Sequence, residues 1–349
     1  MRLTEGQYHQ LNSANNKGVC FTKYPCLQPG MMEEETVVNQ LMTNKWVIPE
    51  ASMLELPSIV RGMNPMEEME RRRRGIRFIK YMMRYLTFEK IIQGETLDQT
   101  KTPRVFPTAV HFYHRFYTIH PFQFFNEYVV AVTCVFHAAK VEEHILPVDR
   151  VLELARMTAS SLPGVHLPEE LSFHNGGWAA IWKNEVIDTE FLMFTTVNPM
   201  RFLFTNVYGF ILLYLKKWTD VAVQEEVAVR IRDKAFAIAS DIYSCGCTLV
   251  VTESTRMIAT MCLMVVLKQL KITISDWKGR AENQIYWFHA GDLTTTVDKL
   301  KEMEVTFFAH LKQYNVFKAR IEKSKQKGVS PTSDYGSESE SECNLFKCQ

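Results

Sequence analysis

The eight cysteines of this 349-residue chain form no CxxC pair, which argues against a zinc knuckle or a thioredoxin-like redox centre. Cys245 and Cys247 are separated by a single glycine, the wrong spacing for a zinc knuckle. Cys134 and Cys262 lie inside apolar helical patterns, where cysteine behaves as a small hydrophobic residue. We therefore expect reduced thiols in an intracellular protein.

Long apolar runs are also missing. The first ten residues lack the apolar centre of a secretory signal. The longest apolar stretch, roughly from Phe202 to Leu215, is interrupted by Thr205 and Asn206 and is shorter than the ~20 residues that cross a bilayer. This stretch predicts a buried core helix, and no membrane contact is expected.

Sequence motifs of catalysis are absent too. The chain contains no GxGxxG, no GxxxxGK[ST], no GxSxG and no HRD set of a protein kinase. Two histidine-containing groups share helical faces, namely His111 with His114, and Cys134 with His137 and His144. Because no HExxH and no carboxylate base accompanies them, core or surface histidines are the preferred interpretation. We expect no catalytic residue, no metal and no cofactor.

Strong charge of either sign is lacking, since the formal net charge is +1. Direct nucleic-acid binding is therefore not expected. The run Arg71–Arg74 is compatible with a nuclear import signal or a nucleic-acid patch, but a solvated helix face is the preferred interpretation. The basic run from Lys318 to Lys327, predicted to lie in an exposed tail, is the better candidate for an import signal.

Helical periodicity runs through most of the chain, and Pro199 is predicted to start one of the helices. Strand alternation is nearly absent: only Leu249–Thr252 could form a short strand, and Thr252 is rather expected to cap a helix. Asn64 and Pro65 have the residue types of a helix start, and Ile76, Ile79 and Met83 then recur on one face. The pattern predicts an all-α protein with two groups of helices. We place a flexible extension at 1–43, the first bundle with its entry segment at 44–196, the second bundle at 197–316 and a disordered basic and acidic tail at 317–349. Within that tail, Ser330, Ser337 and Ser339 precede proline or glutamate and are candidate phosphorylation sites.

Residues 111–144 carry a specific resemblance. They read HFYHRFYTIHPFQFFNEYVVAVTCVFHAAKVEEH and closely resemble the core of a cyclin box of the transcriptional cyclins K and T, with their HRFY and AAKVEE or AGKVEE motifs. Trp46, the run RRRRGIRFI at 71–79 and Val197-Asn198-Pro199 resemble other parts of those proteins. The resemblance covers roughly 45–315 and implies two consecutive five-helix cyclin boxes; the choice between the K and T types stays open.

The resemblance also implies a function. Such cyclins are non-catalytic nuclear subunits that activate a cyclin-dependent kinase acting on the C-terminal domain of RNA polymerase II, and they promote transcription elongation. In the family, the lysine and the last glutamate of the KVEE run contact the kinase. They correspond here to Lys140 and Glu143, which at a spacing of i and i+3 are predicted to share a helical face. Glu142 lies between them, and Phe136, one turn before Lys140, is the predicted aromatic anchor. The family also carries a glutamate in the fifth helix, for which Glu185 is the candidate, although counting back from Pro199 without gaps reaches Lys183.

Two other functions remain alternatives. One is a cyclin-fold general transcription factor that binds DNA directly, which needs a basic face across both bundles and steep salt dependence. The other is a helical adaptor that binds proteins other than kinases. The near-zero net charge and the KVEE run disfavour the first, and only the cyclin-box resemblance disfavours the second.

Overall fold

The computed structural model describes residues 47–92, 102–197, 206–219, 223–274, 286–290 and 294–327. All regular structure in these ranges is helical and they contain no strand, which confirms the predicted all-α class. Single 3₁₀ turns occur at Glu50–Glu55, Glu169–Leu171 and Trp287–Ala290. The α-helices are α1 (Pro57–Val60), α2 (Pro65–Ile92), α3 (Thr102–Ile119), α4 (Glu127–Val141), α5 (Val148–Ser161), α6 (Trp178–Thr196), α7 (Val207–Thr219), α8 (Glu225–Ser244), α9 (Leu249–Thr252), α10 (Thr255–Leu270) and α11 (Val297–Lys327).

Helix α2 begins as its sequence predicts. The Asn64 side-chain oxygen accepts a hydrogen bond from the Met66 amide at 2.8 Å, and Pro65 occupies the first helical position, where its missing N–H costs nothing. Ile76 and Ile79 are fully buried on the face that the periodicity indicates. This face packs on α3, α4 and α5.

Helix α4 is the centre of the first bundle. Asn126 caps it by accepting hydrogen bonds from the Tyr128 and Val129 amides, and every residue from Glu127 to Ala139 is buried. A helix that is apolar on all sides needs neighbours on all sides. α2, α3, α5 and α6 supply them, and together with α4 they make the predicted five-helix bundle.

The second half is built from α7, α8, α10 and α11, which pack on one another, with the one-turn helix α9 beside them. The segment Leu249–Thr252, considered for a short strand, is this helical turn. The side chain that caps α10 is Ser254, which accepts from the Met257 amide, rather than Thr252 as expected. The predicted helix start at Pro199 lies outside the described residues, and the division at 196/197 stays a prediction.

Helix α11 corrects the predicted start of the tail. Residues 317–327 were expected to be non-globular, but α11 continues to Lys327, and Phe317 and Ile321 are buried. The reason is that the apolar spacing of the last helix continues through Tyr314, Phe317 and Ile321 despite the many lysines. Residues 328–349, with Ser330, Ser337 and Ser339, lie outside the described residues, as does the predicted extension 1–43.

The arginine run at 71–74 is not the solvated face that we expected. Arg72 is completely buried, forms an ion pair with buried Glu68 and donates a hydrogen bond to the His114 carbonyl at 3.0 Å. Burial, and then the nearby Arg72 charge, hold the pKa of His114 well below its usual value. Buried arginines need paired carboxylates and carbonyls, and this site supplies both.

Arg73 connects the two halves of the structure. It is also buried, and its guanidinium donates to the Cys245 carbonyl at 3.3 Å and to the Gln313 side-chain oxygen at 2.8 Å. Arg73 belongs to α2, whereas Cys245 directly follows α8 and Gln313 lies in α11. Arg72 and Arg73 are therefore part of the core, and Arg71 and Arg74 form ion pairs with Glu127, so the run does not present the four free charges of an import signal or a nucleic-acid patch.

Among the described helices, none combines the length and apolarity needed to cross a membrane.

Candidate functional site

The C-terminal end of α4 is where this buried helix reaches the surface. Val141 is its last residue, and Glu143 follows in a left-handed conformation with φ of 54°. The Glu143 amide donates to the Lys140 carbonyl at 3.1 Å and the His144 amide to the Ala139 carbonyl at 2.8 Å, which is a Schellman ending. Because the helix stops there, Lys140 and Glu143 do not share a helical face, and that part of the prediction is wrong.

Lys140 is held by a carboxylate from α6. Its ammonium donates to both oxygens of Glu190, each at 2.8 Å. The Glu190 side chain is 17% exposed and that of Lys140 is 48% exposed. An ammonium has three hydrogens, so at least one remains to donate outward. The pair therefore presents an oriented positive group at the surface.

A histidine supports this ion pair from the protein interior. His137, one turn before Lys140, lies 3.1 Å from Glu190 through Nδ1 and stacks edge-on against Phe112. Partial burial opposes ionisation of the Glu190 carboxyl, but the hydrogen bonds from His137 and Lys140 lower its pKa. Glu190 is consequently ionised at neutral pH and fixed from two sides.

Phe136 is not the exposed anchor that the sequence suggested. Its ring is 8% exposed and lies under the Lys140 ammonium, which sits 3.9 Å from the ring centre. This geometry is a cation–π contact, which steadies the lysine. Phe136 thus acts through Lys140 and presents little surface of its own.

The remaining predicted residues occupy different places. Glu142 accepts a hydrogen bond from the Thr108 hydroxyl at 2.6 Å, which ties the end of α4 to α3, while Glu143 is exposed. Lys183 forms an ion pair with Asp149 at 3.0 Å. The α6 glutamate that contacts Lys140 is Glu190. A kinase contact of Glu185 stays a prediction.

Helix α6 carries two apolar stripes. Trp182, Val186 and Met193 are buried and form the stripe that packs on α4. The second stripe, which we call the α6 outer stripe, consists of Ile187, Phe191 and Phe194, which are 46%, 65% and 50% exposed. Glu190 lies between the two stripes on the helix. Val141 and Ile145, which follow Lys140 in the chain, are exposed apolar residues as well.

Large apolar side chains that a core does not need mark a binding surface. The α6 outer stripe was not predicted from the sequence, although the sequence contains a signal for it. Residues 182, 186, 189 and 193 already fill one helical face, so the aromatic residues at 191 and 194 had to point elsewhere.

The histidine and cysteine groups do not form a metal site. Among the described residues, no three His, Cys, Asp or Glu side chains are close enough to bind a metal ion. His137 serves Glu190 instead, and His114 contacts Arg72.

The sequence model of the family described as "Cyclin, N-terminal domain" matches residues 69–198, which contain most of α2 and all of α3 to α6, and therefore both Lys140 and Glu190. This part of the chain is thus similar to the N-terminal domain of cyclins. Cyclins are non-catalytic subunits of protein kinases, and the similarity to them supports the expectation that the chain itself performs no catalysis.

Individual cyclins share limited identity with the chain. Cyclin pch1 of Schizosaccharomyces pombe is 26% identical over 206 residues, which cover 58% of this chain and 54% of that protein. Human Cyclin-K is 24% identical over 242 residues, or 69% and 37% of the two chains, and mouse Cyclin-T2 is 27% identical over 113 residues, or 32% and 14%. The chain thus spans at most about half the length of these cyclins. They confirm the resemblance to cyclins of the K and T types.

Proposed function

We propose that this cyclin binds and activates a cyclin-dependent protein kinase, and that the complex acts on the C-terminal domain of RNA polymerase II in the nucleus to promote transcription elongation. The observation that carries the kinase-binding part is the Lys140–Glu190 ion pair, held at the exposed end of α4 beside the α6 outer stripe. The resemblance to transcriptional cyclins of the K and T types supports the choice of substrate and compartment.

The proposed mechanism is a bias on the kinase conformation. A protein kinase is active when a strand lysine pairs with a glutamate on its regulatory helix. The α6 outer stripe packs against that helix in its inward position, and Lys140 donates its remaining hydrogen to an oxygen of the kinase. Glu143, exposed at the end of α4, is a second candidate contact. The cyclin can shift the equilibrium between the inactive and active kinase conformations only by the difference between its binding free energies for the two.

The available surface sets the scale of that shift. Moving an equilibrium from 1:99 to 99:1 needs about 5.5 kcal/mol. Burying a large apolar side chain contributes roughly 1.5–3 kcal/mol, so three side chains that are about half exposed contribute roughly 2–4 kcal/mol. The stripe alone is therefore too weak for full activation. The oriented lysine and its neighbours must supply the remainder, which makes Lys140 the sharper target for a test.

The test is charge reversal at Lys140. Lys140→Glu places a carboxylate against Glu190 and removes the outward donor, so we expect kinase binding to weaken at least about tenfold, which corresponds to ~1.4 kcal/mol. Lys301→Glu is the matched control, because Lys301 is an exposed α11 lysine paired only with Asp298. Binding of the purified full chain to the kinase that copurifies with it, measured by interferometry, gives the readout. Equal affinities of wild type and the Lys140 variant would refute the assignment of this surface.

The proposal that the complex phosphorylates the C-terminal domain of RNA polymerase II needs a separate measurement. The purified cyclin–kinase complex is presented with a heptad-repeat peptide of the polymerase and with a histone substrate of equal phosphoacceptor concentration. We expect faster phosphorylation of the repeat peptide. A preference for histone, with binding still sensitive to the Lys140 charge, would retain the kinase partner and reject the polymerase as substrate.

A further inference from the structure

Helix α11 exposes an apolar face that the core does not use. Its inner face buries Met303, Phe307 and Phe317. The opposite face carries Val305, Phe308 and Val316, which are 69%, 44% and 55% exposed. We call this face the α11 outer stripe. A shallow depression of about 510 Å³ lies along it, lined by Phe308, Leu311, Lys312, Asn315, Val316 and Ala319.

The stripe also carries unneutralised positive charge. Lys312 lies within it, and Lys323, eleven residues further, has nearly the same helical direction because eleven residues make about three turns. No carboxylate in the described part of the chain forms an ion pair with either lysine. Two other basic residues of this region are paired, Lys268 with Glu304 and Arg320 with Glu70. The stripe therefore fits an occupant that combines acidic and apolar side chains.

Residues 334–346 of the same chain have this composition. The segment reads DYGSESESECNLF and supplies four carboxylates together with Tyr335, Leu345 and Phe346. It begins seven residues after Lys327, the end of α11. The nineteen residues from Lys327 to Phe346 reach about 60 Å when extended. The helix between Phe308 and Lys327 is about 28 Å long, so the segment can return along the whole stripe.

We propose that residues 334–346 fold back onto the α11 outer stripe of their own chain, with the carboxylates at Lys312 and Lys323 and the apolar side chains in the depression. The contact is intramolecular, so a weak interface suffices: a short covalent connection gives an effective concentration in the millimolar range. Phosphate on Ser337 or Ser339 adds about −1.5 to −2 charges each and strengthens the contact.

Zero-length carbodiimide cross-linking of the intact chain tests this fold-back. The reagent joins a lysine to a carboxylate only at ion-pair distance, and mass spectrometry identifies which lysines have been joined to the peptide containing Glu338, Glu340 and Glu342. Lys318 is the internal control, because it is exposed and is closer than Lys312 to the acidic segment along the chain. It lies three residues before buried Ile321, at the edge of the inner face, and is therefore not part of the α11 outer stripe. A freely moving segment favours Lys318. We expect Lys312 adducts to exceed Lys318 adducts at least about threefold.

Two further measurements distinguish the fold-back from an unbound segment and from the association of two copies of the chain. Val316→Asp interrupts the stripe at an exposed position and should return the Lys312 to Lys318 ratio to below one, whereas Leu213→Asp, at a comparably exposed site on α7, should leave the ratio unchanged. Mixing ¹⁴N and ¹⁵N chains distinguishes fold-back from association, since adducts of mixed isotope identify a second copy as the occupant. A wild-type excess of Lys318 adducts, a ratio that survives Val316→Asp, or predominantly mixed-isotope adducts would each overturn the proposal.

Discussion

The substitution Gly75→Ala adds one methyl group, which has two opposing effects on the stability of the protein. Gly75 lies in the interior of α2, where replacing glycine by alanine ordinarily stabilises a helix by up to about 1 kcal/mol. However, a Cβ at this position would overlap the hydroxyl and ring of Tyr113, which is fully buried in α3. Overpacking of a tight core costs about 1–3 kcal/mol. We take the upper end, because the whole ring has to move.

The expected outcome for Gly75→Ala is therefore a net loss of about 2 kcal/mol. This corresponds to a melting temperature roughly 4–8 °C below that of the wild type. Differential scanning fluorimetry of the full chain measures the shift. Gly176→Ala is the matched control, since a Cβ there meets no atom within 4 Å. If Gly75→Ala melts at or above the wild-type temperature, the close packing of α2 on α3 is not as described.

Three further predictions concern stability. Glu143→Gly relieves the left-handed backbone at the end of α4 and should stabilise the protein by about 1 kcal/mol in urea titrations, whereas Glu143→Ala should show no such gain. Arg72→Ala leaves Glu68 buried without its charge partner and should cost about 3–5 kcal/mol; the double change to Met at both positions should cost clearly less, and equal costs would argue against a coupled pair. Burial lowers the pKa of His120 to about 4, so as the pH falls the unfolded state binds the proton before the folded state does. The contribution of neutral His120 to stability is therefore fully present above pH ~6.5 and is lost as the pH falls towards 4. His120→Gln should reduce this pH dependence of the unfolding free energy by up to ~1.4 kcal/mol per pH unit, measured by denaturation at pH 5 and 7.

Local patterns predicted the helices because helix formation is largely a local matter. The spacing of Ile76, Ile79 and Met83 identified the buried face of α2, and Asn64 with Pro65 identified its first turn. The end of α11 was missed because lysine-rich composition outweighed the periodicity that continues through Phe317 and Ile321. In that region, spacing was the better guide than composition.

The candidate site depended on contacts that no local pattern contains. The motif residue Lys140 was identified from the family resemblance, but a count back from Pro199 reached Lys183, with Glu185 as the nearby candidate, whereas Lys140 contacts Glu190. That Glu190 is the partner of Lys140 follows only from the packing of α6 on α4 in the structure. Arg72 and Arg73 were misjudged for the same reason, because the groups that stabilise buried arginines include acceptors distant in sequence.

The two acceptors of Arg73 have a mechanical consequence. Separating α2 from the second half would break both hydrogen bonds of the Arg73 guanidinium at once, which is a discrete penalty rather than a gradual one. The described helices of the two halves therefore resist independent rotation. A large ligand that spans both meets a preassembled platform, and none of its binding energy is consumed in aligning the halves.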